Sequence, residues 1–597
     1  MTTSTTKKVK MYHEKRMDML AVERQKYLNR SRWWVVMRLL SFAAIPITVF
    51  LGYPLGGYSA LILIVEVVVF LVFVRKSAEN KEKLDFANHL IQINANELKA
   101  LDNDYSSFGD GEKYIDHAHP FTYDMDVFGK DSFFKIVNRT VTSRGEQTLA
   151  NRLCNGISEH EGVLNAVEEL SEHPDWYQEY LAHGMQQKNQ VEELSVASWS
   201  KRSVEKKSWM KLFSILLPVI AFALTFLYTW DLIHGIYFGI GFILVMLPVR
   251  QLLKQTNELH QSLEKLGGGI QAMRLQMEHL NKIKFTSTLL KSYQEDLFEK
   301  ERNAKVSIDQ LSSLVKHAEY RNNILVAILL NFYLAWDIRL TMRAAKWKAE
   351  NLENIDAWEQ MIFELEALIS GANYRRIYKD ITTEPNLTSS TNEPIEMEGL
   401  GHPIIPKDKR VVNDFVLSNN QRFAIITGPN MAGKSTFLRS VGINIMMAQA
   451  GFHVMAEKFV FPQLRLYSSM RTTDDLSEET SYFHAELLRL RFIMDAIDRG
   501  EKVFIILDEI LKGTNSKDKE EGSRKFLQKL EEKGTKGLIA THDLSLTELA
   551  KERDSIVNKY FDTNIQGENI SFDYRMRDGI AQNMNASFLL RKMRLTD

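Results

Sequence analysis

Residues Gly428 to Ser435, GPNMAGKS, have the spacing of a phosphate-binding loop, G-x-x-x-x-G-K-[ST]. The loop follows an apolar run, RFAIIT, that predicts a strand, and it precedes a segment, STFLRSVGINIMMAQA, that predicts a helix. In such a loop the glycines let backbone N–H groups surround phosphate oxygens, and the N-terminus of the helix adds positive potential. The sequence therefore predicts that Lys434 reaches the β- and γ-phosphates of ATP and that Ser435 is a ligand of Mg²⁺.

Two later apolar runs end in residues suited to phosphoryl transfer: VFIILDE ends in Asp508 and Glu509, and GLIATH ends in His542. We expect Asp508 to bind Mg²⁺, Glu509 to orient or deprotonate the attacking water, and His542 to sense the γ-phosphate. An Asp-Glu pair after a strand is also typical of a helix N-terminal cap, and a single histidine is often structural, but the phosphate loop favours catalytic roles. Lys434, Glu509 and His542 are therefore the predicted catalytic set. The predicted nucleotide contacts in the loop are Gly428, Pro429, Asn430, Met431, Ala432, Gly433, Lys434, Ser435 and Thr436.

The composition limits the class of protein. At 597 residues the chain is expected to fold as about three or four structural units. Its 75 Lys and Arg nearly balance its 76 Asp and Glu, so bulk positive charge does not hold it to nucleic acid and any such binding must be local. The single cysteine, Cys154, excludes an intramolecular disulfide framework and a thiolate-rich zinc site, which suits a reducing compartment.

Four apolar runs have the length of membrane-spanning helices and form two hairpins: 33–51, 58–74, 212–230 and 233–249. The turns GYPLGGY and TWDLIHG contain no Lys or Arg, whereas basic residues flank the open ends. By the positive-inside rule, both hairpins open to the cytoplasm. We therefore expect a multi-pass protein of the cytoplasmic (inner) membrane, with the lipid bilayer as a partner and the ATPase and lever regions in the cytoplasm.

The alternative is that these runs are buried core helices. Arg38 and Glu66 favour it, because a charge in or near a span is costly unless it snorkels or finds a partner. A fifth apolar run, 324–336, is shorter and leads into Asp337 and Arg339, so we expect it to be a buried helix.

Composition and periodicity divide the chain into seven parts. Residues 251–320 have the apolar spacing of long paired helices, interrupted at Gly267, Gly268 and Gly269. The stretch TTEPNLTSSTNEP predicts a linker, after which short β-rich runs alternate with helices, as in a parallel sheet covered by helices. The predicted parts are a basic N-terminal segment (1–32), a transmembrane hairpin (33–76), a helical connector with the first part of a core (77–210), a second transmembrane hairpin (211–250), a helical lever region (251–381), a linker (382–395) and an ATPase domain (396–597).

Five motifs, in family order and spacing, resemble the MutS ATPases of DNA mismatch repair, relatives of the ABC ATPases: GHPII (401–405), ITGPNMAGKST (426–436), DDLSEETSYFHAEL (474–487), LDEILKGTNS (507–516) and ATHDLSLTEL (540–549). A weaker similarity at 138–153 and 358–374 extends to the start and end of the family's helical core. The resemblance implies an α/β P-loop ATPase domain of the ABC and MutS type, with a parallel-rich sheet and helices, next to a mainly α-helical core and lever region.

The resemblance also implies a composite site between two ATPase domains. By this similarity Asn430 lies beside the phosphates, Ser481 contacts in trans the γ-phosphate bound by the other subunit, and the active form is a homodimer. Glu478 and Glu479 place two carboxylates just before this serine, and they would repel a triphosphate unless turned away or paired.

Family resemblance further implies binding of mismatched or branched DNA in DNA repair. The Phe-x-Glu motif of mismatch-reading members occurs nowhere in the sequence, and a membrane hairpin stands where the mismatch-recognition domain is expected. The sequence thus predicts a membrane-anchored MutS-like ATPase that uses ATP and Mg²⁺ and couples hydrolysis to rearrangement of a dimer and its levers. The alternatives are an ATP-driven mechanical or scaffold protein at the membrane without DNA binding, and a component of an ABC-like transporter.

Overall fold

The computed structural model describes residues 4–51, 57–185, 196–201, 207–299, 303–471, 482–512, 515–566 and 569–581. The N-terminal part is helical. Its helices are α1 (Ser4–Leu51), α2 (Gly57–Leu101), α3 (Phe133–Val137), α4 (Ser143–Asn155), α5 (His160–Ser171), α6 (Pro174–Gly184), α7 (Val196–Ser200), α8 (Trp209–Thr229), α9 (Gly235–Gln251), α10 (Leu253–Leu280), α11 (Thr288–Phe298), α12 (Ala304–Glu319), α13 (Ile324–Leu334), α14 (Trp336–Asn351) and α15 (Ile355–Ile377).

The C-terminal part alternates strands and helices. Its strands are β1 (Asn386–Thr388), β2 (Ile395–Leu400), β3 (Asn413–Leu417), β4 (Phe423–Thr427), β5 (Lys458–Pro462), β6 (Arg465–Ser469), β7 (Val503–Asp508), β8 (Lys536–Ala540), β9 (Ile556–Gln566) and β10 (Asn569–Asp578). Its helices are α16 (Lys434–Gln449), α17 (Tyr482–Asp498), α18 (Ser516–Glu532) and α19 (Leu549–Glu552).

The larger sheet has the strand order β10-β9-β4-β8-β7-β6, and all its pairings are parallel except that between β9 and β10. Every residue of β4 and β8 is buried, as expected for central strands of a parallel sheet covered on both faces. Separate apolar cores lie on the two faces, one containing α16 and the other α17 and α18. The predicted parallel-rich sheet is confirmed.

The smaller sheet has the order β1-β5-β2-β3. Its strand β1 lies inside the segment 382–395, for which the sequence predicts a linker, and it pairs in parallel with β5. The pairing partner is about 70 residues away in the chain, so local composition does not reveal it.

α1 and α2 form a long antiparallel hairpin. Near its apolar end Thr48 Oγ1 donates a hydrogen bond to Glu66 Oε1 at 2.7 Å, so this carboxylate has a polar partner on the neighbouring helix. At its polar end Tyr12 OH donates to Asp175 Oδ1 of α6 at 2.7 Å. The polar half of the hairpin is therefore attached to the helical body, whereas apolar side chains such as Phe50, 82% exposed, cover the other half.

Two helices are long and apolar enough to cross a membrane, by length and composition: Thr5–Phe50 within α1, and α8. Two bent pairs, α9 with α10 and α13 with α14, bring the number to four in the described part of the chain if each pair is one span. α2 is not among these candidates, and the side chains of its residues 57–60 lie outside the described part. The four predicted spans therefore stay a prediction.

The prediction that the fifth apolar run is a buried helix is wrong. Within α13, Ile324 is 73% and Leu325 is 69% exposed. Only the other face of the helix is covered, because Phe332 packs in one cluster with residues of α8 and α9. The run's short length suggested burial, but the structure places it beside the second apolar hairpin.

The lever region also differs from its prediction at one point. α10 continues through Gly267, Gly268 and Gly269 without interruption. A Cβ at Gly267 would lie 3.3 Å from Val315 Cγ1 of α12, so this glycine permits close packing of the two helices.

Candidate nucleotide-binding site

Three neighbouring parallel strands bring the predicted residues to one edge of the larger sheet. β8 pairs with β4 on one side and with β7 on the other. The phosphate loop after β4, the acidic pair at the end of β7 and His542 after β8 are therefore neighbours. Thr541 N donates to Ile426 O at 3.0 Å and extends this alignment to the strand ends.

The backbone of the phosphate loop explains its two glycines. Gly428 has a φ of 144°, and a Cβ there would lie 2.5 Å from Phe561 O, which no other residue type tolerates. Gly433 has a φ of 106° and directly precedes the first residue of α16. The loop thus opens onto the N-terminus of a 16-residue helix, where backbone N–H groups and the helix dipole favour an anion.

The remaining loop residues divide into exposed and buried positions. Ala432 is buried beneath the loop, and Met431, with a φ of 68°, is 74% exposed. Asn430, Ser435 and Thr436 are exposed.

The ammonium group of Lys434 is buried in the loop itself. Its Nζ donates to Gly428 O at 2.8 Å and to Pro429 O at 3.1 Å, and it lies 3.3 Å from His542 Nε2. Burial lowers the pKa of Lys434 to about 8, although the charges of Glu509 and Asp508 act in the opposite direction. Two backbone carbonyls and a histidine thus surround this ammonium group.

Glu509 and His542 are within hydrogen-bonding distance at the strand ends, with 2.8 Å between His542 Nε2 and Glu509 Oε1. The hydrogen bond from His542 lowers the pKa of Glu509 to about 2, and Lys512 and Lys434 contribute to this shift. Glu509 has a φ of 52°, and its N–H donates to Ala540 O at 2.9 Å. A left-handed backbone at a residue with a Cβ is strained, and such strain clusters at functional sites.

Ser435 and Asp508 fit the ligand chemistry of Mg²⁺. Ser435 is the second residue of α16, and Asp508 is the last residue of β7. Within the described ranges no group of three or more His, Cys, Asp or Glu could hold a metal ion. Two hard oxygen ligands from the protein, completed by phosphate oxygens and water, are the usual arrangement for Mg²⁺ bound with a nucleotide.

Sequence spacing did not identify Glu486 as part of this site. The carboxylate of Glu486, on α17, accepts hydrogen bonds from Leu511 N at 2.5 Å and Lys512 N at 3.0 Å. Leu511 has a φ of 57°, so this carboxylate holds a strained turn two residues after Glu509. Glu486 lies within the quoted motif DDLSEETSYFHAEL, but only the folded contact reveals what it binds.

The connector supplies a second set of contacts that the sequence did not predict. Asp124, which is buried, accepts from Ser468 Oγ at 2.6 Å and from Arg471 N at 3.0 Å at the end of β6. Arg489 of α17 donates to the carbonyl oxygen of Pro120 at 2.7 Å. The connector therefore contacts the chain on both sides of the segment 472–481.

Ser481, the predicted trans contact, lies outside the described residues together with Glu478 and Glu479. The structure brings together Lys434, Glu509 and His542, and it places Asp508 and the phosphate loop on the same edge. The catalytic, nucleotide-binding and metal-binding roles of these residues stay predictions.

The site lies in a region shared with known proteins. MutS domain V matches residues 424–591. The DNA mismatch repair protein MutS of Thermotoga petrophila is 37% identical over 190 residues, which are 31% of this chain and 24% of that protein. The MutS proteins of Persephonella marina (37% over 194 residues, 31% of this chain and 22% of that protein) and Natronomonas pharaonis (32% over 194 residues, 32% and 22%) match a region of similar size.

The chain spans about a quarter of the length of these curated relatives. The matched region contains the phosphate loop, the acidic pair and the histidine described above. The similarity of this chain to the MutS family therefore lies in its C-terminal third, where residues 424–591 match MutS domain V.

Proposed function

We propose that this protein is a membrane-anchored MutS-like ATPase that binds ATP with Mg²⁺ and hydrolyses it to ADP and phosphate. The observation that supports this most directly is that His542 Nε2 lies within hydrogen-bonding distance of both Lys434 Nζ and Glu509 Oε1. Phosphoryl transfer requires a cation at the phosphates and a group that orients water, and these three side chains supply both.

Each residue has a separate task in this proposal. Lys434 leaves the carbonyls of Gly428 and Pro429 and binds the β- and γ-phosphates. Ser435 and Asp508 hold Mg²⁺, which when bound neutralises charge on the phosphates. Glu509, ionised at neutral pH, orients the attacking water and accepts its proton, while His542 reports the presence of the γ-phosphate through its contact with Glu509.

The partner in this proposal is a second copy of the chain. Ser481 of one ATPase domain completes the site of the other, as the family resemblance implies. α17 starts at Tyr482, directly after Ser481, and the same helix carries Glu486, which holds the turn next to Glu509. A movement of Ser481 on dimer closure would therefore be transmitted to the catalytic carboxylate.

The apolar hairpins fix this ATPase to the cytoplasmic membrane in the proposal, with the ATPase and lever regions in the cytoplasm. α9 leads into α10 of the lever region with a bend of 61°. Rearrangement of the lever is thereby coupled to helices in the bilayer. Exposed apolar side chains on α8, such as Leu212 at 62% and Val219 at 61%, support contact with lipid.

ATP hydrolysis by the purified full chain in detergent or liposomes tests the proposal. The wild-type protein should release phosphate from Mg·ATP. Lys434→Ala should weaken ATP binding by about 10- to 150-fold, because a hydrogen bond to a charged group contributes about 1.5–3 kcal/mol. If the wild-type protein does not hydrolyse ATP and Lys434→Ala binds ATP as the wild type does, the proposed ATPase function is wrong.

A second candidate function is recognition of mismatched or branched DNA at the membrane, because the relatives at 32–37% identity are DNA mismatch repair proteins. The net charge of −1 predicts that any such contact is a local basic surface. Binding of junction and duplex DNA should then weaken linearly with the logarithm of salt concentration. If neither DNA binds at low salt, this second function is wrong, and the proposal of an ATP-driven membrane protein without DNA binding remains.

A further inference from the structure

We propose that α13 enters the hydrocarbon of the lipid bilayer as a re-entrant helix, packed against both α8 and α9. This inference rests on the proposed membrane anchoring by α8 and α9. It adds a membrane element to the two proposed hairpins, in a segment where sequence length alone predicted a buried helix.

The exposed face of α13 is entirely apolar. Its strongly exposed side chains are Ile324 (73%), Leu325 (69%) and Leu329 (57%). The two polar side chains of the helix are turned away from this face: Asn331 is buried and donates to Ala327 O, and Tyr333 OH lies 3.1 Å from Thr225 Oγ1 of α8. A helix with its polar groups bonded internally and only hydrocarbon outside matches a lipid environment.

The inner face of α13 joins the second hairpin in one apolar cluster. Phe332 packs against Phe242 of α9, with ring centroids 4.9 Å apart, and Tyr333 packs against Phe222 of α8 at 5.2 Å. α13, α8 and α9 are thus packed in one cluster and each exposes apolar side chains, from which we infer that one medium covers all three. Neither Phe222 nor Phe242 lies near the start of the hairpin at Trp209 or its end at Gln251.

The length and ends of α13 favour a re-entrant helix over a full span. Its 11 residues extend about 16 Å, roughly half of a hydrocarbon core of about 30 Å. The chain then turns by 81° into α14, at Ala335 with a φ of 48°.

Residues on the two sides of α13 along the chain are bound to each other. Arg321 before α13 forms an ion pair with Asp337 after it, at 3.2 Å. Trp336 Nε1 donates to His317 O at 3.0 Å, which ties the start of α14 to the end of α12. Because the segments before and after α13 are bound to each other, the chain enters and leaves the apolar layer at one place.

Fluorescence quenching in liposomes tests this placement. Cys154→Ser removes the chain's single cysteine. Leu325→Cys, Val219→Cys on α8 and Val412→Cys in the ATPase domain then each give one exposed site for a bimane label. The three labelled 597-residue chains are reconstituted in phosphatidylcholine–phosphatidylglycerol liposomes whose acyl chains carry doxyl groups, and aqueous iodide serves as the second quencher.

We expect the extent of quenching by doxyl lipid at position 325 to be within about twofold of that at position 219, because both sites face hydrocarbon. At position 412 we expect this quenching to be several-fold weaker. If position 219 is quenched by lipid but position 325 only by iodide, the re-entrant placement of α13 is wrong and the anchoring by α8 stands. If position 219 is not quenched by lipid either, the proposed anchoring itself fails. If the label at position 325 is not quenched by lipid, and the unlabelled Leu325→Cys protein forms an efficient disulfide between two chains under copper–phenanthroline oxidation, a second copy covers this face and the proposal is wrong.

Discussion

His542 Nε2 lies 2.8 Å from Glu509 Oε1 and 3.3 Å from Lys434 Nζ. One ring nitrogen either carries a proton and donates, or lacks one and accepts, so it cannot serve both partners at once. In the proposed cycle, Lys434 turns to the phosphates and leaves His542 paired with Glu509. In this proposal the histidine links occupation of the phosphate site to the position of the Glu509 carboxylate.

Glu509→Gln should abolish turnover but preserve ATP binding. The amide keeps the shape of the side chain but cannot accept a proton from water, and general base catalysis contributes about 10²- to 10⁴-fold. We expect kcat to fall by this factor while the Kd for Mg·ATP changes less than about threefold. Single-turnover hydrolysis and equilibrium binding measure the two effects, and a variant with wild-type turnover would remove Glu509 from the mechanism.

ATP affinity should decrease as pH rises above about 8. Burial lowers the pKa of Lys434 to about 8, so the protein without nucleotide loses the ammonium charge above this pH. Phosphate binding favours the charged form. Affinity is thus fully present below the pKa of the free protein and falls by up to about tenfold per pH unit above it, until the pKa of the complex is reached.

The matched control for this pH effect is Lys434→Arg, because a guanidinium group does not deprotonate in this range. Its ATP affinity is expected to be lower than that of the wild type but constant between pH 7.5 and 9.5. Equal slopes for the two proteins would assign the pH effect to another group.

Glu486→Ala should lower kcat with little change in ATP affinity. The carboxylate holds Leu511 N and Lys512 N and does not belong to the phosphate loop. Loss of two charge-assisted hydrogen bonds frees the turn after Glu509, and we expect kcat to decrease about 10- to 100-fold. Glu520→Ala on the exposed surface of α18 is the control, and equal activity of both variants would exclude this positioning role.

Asp124→Ala should destabilise the junction between connector and ATPase domain. Its buried carboxylate accepts three hydrogen bonds, from Ser468 Oγ, Met470 N and Arg471 N. Leaving these donors unpaired should lower the free energy of unfolding by about 1–3 kcal/mol. Thermal unfolding in detergent compares this variant with Asp554→Ala at an exposed position, and indistinguishable midpoints would contradict the expected loss.

The geometry of the phosphate loop could be predicted from sequence because its determinants are local. Gly428 and Gly433 adopt backbone angles that favour glycine, and the flanking apolar runs specify a strand and a helix. The location of the acidic pair and His542 at the same edge of the sheet could also be predicted, because the ends of parallel strands share one edge. Their distances from Lys434 could be determined only from the folded structure.

The contacts of Glu486 and Asp124 could not be predicted, because each joins segments that are distant in the chain. Asp124 accepts a hydrogen bond from Arg471 N, 347 residues away in the chain, and no local pattern around either residue specifies this pair. α13 shows a different limit. Its apolar composition fits a protein core and a bilayer equally well, and only the exposure of Ile324 and Leu325 distinguishes them.

The position of a bound nucleotide would decide whether Lys434, Ser435 and Asp508 form a Mg·ATP site. We would determine the structure of the full chain with Mg²⁺ and a non-hydrolysable ATP analogue. We expect phosphate oxygens on Lys434 Nζ, in place of the carbonyls of Gly428 and Pro429, and Mg²⁺ between Ser435 and Asp508. A nucleotide bound elsewhere, with Lys434 still bonded to the two loop carbonyls, would contradict it.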